Sequence, residues 1–224
     1  MRIATLILNF FLMANVSAQM SDMTGRIWDT TVHTSSTPFK QWVPQQQLDA
    51  FNMKQLEINK KGMYALSSWA TGNLLYGVIA VGLTHGEGQA FHASNAIWGG
   101  FNFIIGATGV AASYQKKKAM GLSFGGTVLR QHGQEKIFLI NGSLDFAYIA
   151  TGLAVWGFSD RPASQRTRNI LSGGGKSFVM QGGFLAFFDW GMYIAHSQHA
   201  YRNLNRYTSG LAFNGDGLSY SLMF

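Results

Sequence analysis

The sequence predicts an all-α integral membrane protein, a four-helix bundle in which two helical hairpins look repeated. Three observations carry that expectation. Four long stretches are apolar and almost free of charge. Charged residues make up only 12% of the chain while 47% are hydrophobic, about half the charge of an ordinary soluble domain. The basic residues collect beside the apolar stretches, at Lys60, Lys61, Lys116 to Lys118, Arg202 and Arg206. A soluble bundle keeps a charged outer face on each helix, and the first two stretches have none.

Taken in order, residues 1–18 carry Arg2, an apolar run from Ile3 to Ala14 and the small residues Ser17 and Ala18, the layout of a secretory signal peptide cut after Ala18. Residues 19–44 are polar, rich in Ser and Thr, and hold Pro38 and Pro44, so they read as an extended lead. From Gln45 the apolar residues Leu48, Phe51, Leu56 and Ile58 fall roughly on one side, as in an interfacial helix or the first turns of the helix that follows. Spans are expected over 62–83, 92–114, 136–158 and 176–197, each about the 20 residues that a hydrocarbon core requires.

The connections read as a short turn, THGEGQAF, then a Gly-rich loop over 115–134, then a loop over 159–175 with Pro162 and the run Gly173, Gly174, Gly175. The domain closes near 206, and residues 207–224 form a tail whose ending, GLSYSLMF, alternates like one strand. Ala65, Ser68 and Gly72 suggest a close-contact face on the first span. Asn73-x-x-Tyr76 parallels Asp145-x-x-Tyr148, a faint sign of duplicated hairpins.

Several chemistries are excluded or unsupported. The net charge of +7 comes from 17 Lys and Arg against 10 Asp and Glu. With no recognition motif beside it, that charge points to lipid headgroups as partner and not to nucleic acid. The absence of cysteine removes disulfides, thiolate metal sites and thiol catalysis. His196 and His199 share a helical face without a carboxylate neighbour in sequence, so they read as polar contacts at headgroup level, and no metal or cofactor is expected. His92 and His196 fall at opposite ends of their spans, too far apart to clamp one haem.

The candidate site is a buried polar cluster. Asp145 and Asp189 are the only acids inside the four spans, where an ionisable group is expensive unless paired or hydrated. Counting about 1.5 Å per residue puts Asn73, Asn102, Asp145 and Asp189 at one level, about 12 to 18 Å from the lysine-rich boundary. Asn141 and Tyr193 lie one turn from the two acids. His92, Asn95, Trp98, Tyr148, Gln181 and His196 are secondary candidates. The first reading is a structural or accessory envelope protein knit together by these groups. The alternative is a small proton- or cation-linked transporter or channel in which Asp145 and Asp189 titrate, and an embedded enzyme comes third. Orientation is contested, because a cleaved signal peptide puts the lysine-rich side outside and positive-inside counting puts it in the cytoplasm.

Five segments together resemble a family of bacterial membrane proteins defined as a domain of unknown function. They are LDAFNMKQLEINKKGM from Leu48, WATGN ending at Asn73, FHASNAIWGGFN ending at Asn102, NGSLDFAYIATG ending at Gly152 and QGGFLAFFDWGMYIAH ending at His196. The resemblance covers roughly residues 48–200. It implies a signal peptide followed by four helices and an envelope location; the compartment expected is the bacterial cell membrane, the inner membrane first. It brings no activity, substrate or cofactor.

Overall fold

The structure, a computed structural model, describes residues 43–204 and the backbone of 211–213 and 218–220. Helix α1 runs Gln45–Leu83, α2 Gly86–Ser113, α3 Phe124–Gly157 and α4 Gln165–Asn203, with one 3₁₀ turn at Lys116–Lys118. Pro44 starts α1, its carbonyl accepting the amide of Gln47 at 2.9 Å, as suits a residue with no N–H of its own to lose. Thr84 is extended, and Gly86 at φ +60° then lets α2 begin after only two residues. Ser123 caps α3 by accepting the amide of Gly126 at 3.2 Å. The expected signal peptide and most of the polar lead lie outside the described residues. In the tail, β1 (Leu211–Phe213) and β2 (Leu218–Tyr220) pair antiparallel with Leu211 opposite Tyr220, a two-stranded turn where one strand was expected.

The fold is all-helical, as the charge-free runs predict, but four boundaries move, the first being the expected turn THGEGQAF, which shrinks to Thr84 and His85 because α2 already starts at Gly86. The amphipathic stretch from Gln45 is not a separate interfacial helix; it is the opening of a continuous 39-residue α1. The loop expected over 115–134 ends at Ser123, and that over 159–175 ends at Ser164. Glycine would break an exposed helix, yet Gly173 and Gly175 are helical because they sit where backbones meet. A Cβ on Gly175 would lie 2.7 Å from Trp156 N and 2.8 Å from Gly152 O, and one on Gly173 would strike the carbonyl of Glu87.

Such close approaches recur at seven-residue spacing, the period that keeps one seam of a helix facing its partner. On α2, Gly99 and Gly106 press against Ala70, Leu74 and Ser67 of α1, and Gly77 of α1 presses back on Ala96 and the His92 carbonyl. On α4, Gly175 and Gly182 meet Gly152, Ile149 and the Asp145 carbonyl of α3. Two antiparallel hairpins result, α1 with α2 and α3 with α4, joined mainly where α2 lies along α4. The contact face of α1 lies on the side of the helix opposite the expected one. Ala65 and Ser68 are exposed and Gly72 has open space beside it, because Met63, Ser67, Ala70 and Gly77 face α2 instead.

Among the described residues, α1, α2 and α3 are long and apolar enough to cross a membrane, while α4, equally long, is more polar. The outward residues of the bundle are apolar: Leu75, Ile79, Ile104, Ile140, Phe146 and Phe187 are all exposed. A belt of this size fits a hydrocarbon solvent rather than water.

Replacing Gly99 with Ala should push α1 from α2, because its Cβ would fall 2.5 Å from Leu74 N. The expected loss is about 1–3 kcal/mol. Gly100→Ala, with nothing within 4 Å, should raise stability by about 0.5–1 kcal/mol, the helix preference of Ala over Gly. Thermal unfolding of the two variants in detergent checks this, and equal melting points would sink the account of the seam.

Candidate functional site

Inward polar groups fall into three sets along the bundle. The first lies beyond the apolar belt at the lysine-rich end, where α1, α3 and α4 continue as a head. Asn52 Nδ2 donates to Thr127 Oγ1 at 3.0 Å, Gln55 Nε2 to Gln131 Oε1 at 2.9 Å and Asn59 Nδ2 to Gln134 Oε1 at 2.9 Å. The constant offset means α1 and α3 run parallel in register here. Helix α4 joins through His196, whose Nε2–H donates to Asn59 Oδ1 at 2.8 Å and whose carbonyl accepts from Gln131 at 2.8 Å. Arg130 Nε donates to Gln55 Oε1 at 2.8 Å. Its guanidinium is held below the usual arginine range by burial.

Sequence reading gives Asn52, Gln55 and Asn59 no role and puts Thr127, Gln131 and Gln134 in a loop. The signal was present in the spacing of Asn52, Gln55 and Asn59, which Thr127, Gln131 and Gln134 nearly repeat. His196 and His199 do not converge. His196 stacks on Phe138, with ring centroids 5.4 Å apart, and His199 stacks on Phe51 at 4.1 Å. Among the described residues no cluster of His and carboxylates could hold a metal ion.

The second set surrounds Gln181, which is fully buried. Its Nε2 donates to Asn73 Oδ1 at 2.9 Å and to Asn95 Oδ1 at 3.0 Å, and its Oε1 accepts from Trp69 Nε1 at 3.0 Å. Ser177 Oγ donates to Asn95 Oδ1 at 2.6 Å. Three helices are thus tied through one amide whose principal donors and acceptor are all used. Asn95 and Gln181, secondary candidates from sequence, are its centre, and Asn73 points here and not at the aspartates.

The third set is Asp145 on α3 and Asp189 on α4, 3% and 6% exposed. They lie on facing stretches of the two helices, both buried. Gly142, one turn before Asp145, admits α4: a Cβ there would lie 3.0 Å from the Trp190 ring and 3.6 Å from Asp189 Cβ. Helix α2 runs parallel to α4, with Asn95 against Gln181, so Asn102 reaches the aspartate level one heptad later. Asp145 Oδ2 and Asn102 Nδ2 are buried with no hydrogen-bond partner. The single level expected from counting is therefore two, with Gln181 and Asp189 about 12 Å apart along α4.

The remaining candidates frame these sets. Trp98 is core, its ring edge-on to Tyr148 and Phe178, each at 5.3 Å. Asn141 and Tyr193 are half-buried, Tyr193 edge-on to Trp190. His92 lies at the far end, edge-on to Tyr76, with Nδ1 buried and unpartnered. Two open grooves lie at the ends of the bundle, one lined by Leu48, Phe51, Lys54 and His199, the other by Glu87, Asp160 and Arg168; neither is lined by an aspartate of the pair. At the far groove Lys176 pairs with Glu87 and holds that carboxyl below its ordinary range.

Fold and site together define an all-helical protein, with helices able to cross a membrane, organised round buried amide and carboxyl groups. The chain belongs to the family of unknown function DUF6992, whose family model matches residues 65–190. That match contains the Gln181 set and both aspartates, and leaves out the start of α1 and the end of α4. No curated protein and no solved structure matches the chain.

Gln181→Leu should strand the Asn73 side-chain carbonyl and the Trp69 N–H and leave Asn95 Oδ1 with Ser177 alone, at a cost of about 1–3 kcal/mol. A denaturation midpoint in mixed micelles no lower than wild type would show that the hub holds nothing. In the head, burial depresses the His199 imidazole below its ordinary value, with Lys54 adding to the effect. The unfolded chain takes up a proton near pH ~6.5 that the folded head resists, so this contribution is flat above that pH and stability falls below it. His199→Phe, which keeps a ring on Phe51, should reduce the slope of stability against pH between 6.5 and 5 by these principles; an unchanged slope would assign it to other groups.

Proposed function

We propose that this is a polytopic membrane protein of structural or accessory kind, whose four helices cross the bilayer and are held together by buried side-chain amides and carboxyls. The observation that carries the reading is the Gln181 hub, whose hydrogen bonds run between α1, α2 and α4. In lipid such groups find no water, so they serve as glue between helices. Helix α4 counts as a span in this reading. It lies against α2 along one side and α3 along another, and between Lys176 and His196 Asp189 is its only formally charged residue. The location proposed is a bacterial inner membrane, reached through the signal peptide read at residues 1–18.

A second reading, a small proton- or cation-linked transporter or channel using Asp145 and Asp189, is favoured by one observation. Asp145 Oδ2 and Asn102 Nδ2 are an acceptor and a donor left without partners in the interior, and an ionisable group so placed in a membrane is a candidate for an ion or proton path.

Vesicles loaded with a pH-sensitive dye separate the two. On the structural reading, wild type leaks protons at the protein-free rate, and the double variant Asp145→Asn, Asp189→Asn changes only the melting temperature, by an amount on the order of 1 kcal/mol in stability. A proton flux in wild type that vanishes in the double variant, with helix content intact, would replace the first reading by the second.

A further inference from the structure

We propose that the lysine-rich end of the α1–α2 hairpin is a binding surface for the headgroup phosphates of anionic phospholipids, formed by Lys60, Lys116, Lys117 and Lys118 around the paired hydroxyls of Tyr64 and Tyr114. The inference rests on the reading that α1 and α2 cross the bilayer.

Depth is the first argument. The Tyr64 and Tyr114 hydroxyls lie 2.9 Å apart, and both side chains are exposed, 47% and 58%. Tyrosines with an apolar ring and a wet hydroxyl sit at headgroup level. Deeper along the same two helices the outer faces turn apolar, at Ile104, Ile105 and Leu75. On the other side of the tyrosine pair the chain turns basic: Lys60 Nζ lies 5.4 Å from the Tyr114 ring centroid, and the three lysines follow at once.

Charge is the second. Lys54 and Lys61 are both paired with Glu57, at 2.9 Å and 2.7 Å. Among the described residues no carboxylate pairs with Lys60, Lys116, Lys117 or Lys118. Four cations thus share one corner of the hairpin with no paired carboxylate among the described residues. A bilayer supplies phosphates in that plane, and each lysine near an anionic surface strengthens binding about fivefold.

Third, the lysines are mounted on a fixed backbone. The 3₁₀ turn is closed by Ala119 N–H donating to the Lys116 carbonyl at 2.9 Å, Ala119 itself is fully buried, and Arg130 Nη1 donates to the Lys118 carbonyl at 2.9 Å. The turn is pinned to α3, so the three side chains project from one place instead of sweeping a loop.

The test places the full-length protein in nanodiscs of mixed phosphatidylcholine and phosphatidylglycerol and counts retained lipids by native mass spectrometry. Phosphatidylglycerol should be enriched. The quadruple variant K60Q/K116Q/K117Q/K118Q, with unchanged circular dichroism, should lose that enrichment by roughly tenfold or more, and high salt should weaken it in wild type. Equal enrichment in the variant overturns the proposal. So does displacement of the lipid by millimolar glycerol phosphate, which would mean a site for free phosphate. Failure of the wild-type chain to enter the discs at all would remove the membrane reading itself, a result distinguishable from insertion without lipid preference.

Discussion

Backbone-to-backbone contact between helices is the constraint from which the remaining geometry follows. At the α1–α2 crossing a Cβ on Gly99 would lie 2.8 Å from the Ala70 carbonyl, and at the α3–α4 crossing one on Gly152 would lie 2.8 Å from the Gly175 carbonyl. Lipid gives helices no hydrophobic reason to associate, so packing at short range has to do it. Glycines seven residues apart let the main chains touch over two turns at a time. They also fix register, since a shift of one residue would bring a side chain to a place with no room for it.

Polar pairing depends on that closeness. The Gln181 amide is short, yet it reaches Asn73 on α1 and Asn95 on α2, because α4 lies close along α2 and α2 close along α1. The two buried layers differ in how completely they are satisfied. Around Gln181 donors and acceptors are matched; around Asp145 one carboxyl oxygen and one amide nitrogen at the same level are left over. Leaving a buried polar atom unmade costs about 1–3 kcal/mol, so the aspartate layer is held in place by its surroundings and the Gln181 layer holds its surroundings in place. That difference makes the first layer the place to look for anything beyond packing.

Much of the fold was legible because it depends on long-range averages. Runs without charge, ended by lysines, located the apolar part of each helix. Asp145 and Asp189 stood out because acids in such runs are rare, and they do lie on facing stretches of α3 and α4. Less was legible where a residue's role depends on its neighbour. Gly173 and Gly175 read as loop formers by propensity, and become helical only because Glu87 and Gly152 occupy the space a side chain would need. Asn52 and Gln55 draw no reading from the sequence and are fully buried. Their partners stand 75 or 76 residues away, and nothing local to α1 announces them. Asn73 was placed with the aspartates by counting depth alone; helix rotation turns it to Gln181.

The head has a purpose that the bundle explains. Within the apolar belt α1 and α3 hardly touch, since α2 and α4 provide the contact that joins the hairpins. With the Gln181 bonds from α4 to Trp69 and Asn73 of α1, that contact joins them along one side. Beyond the belt, α1 and α3 run side by side and are laced by Asn52 to Thr127, Gln55 to Gln131 and Asn59 to Gln134, with His196 of α4 bound to the same Asn59. An apolar core there would associate the helices in water at several registers. Paired amides admit one, because a slip leaves buried donors and acceptors unmatched. The polar ladder thus closes the second side of the bundle and sets the height at which the two hairpins stand relative to each other, which is what brings Asn102, Asp145 and Asp189 to a common depth.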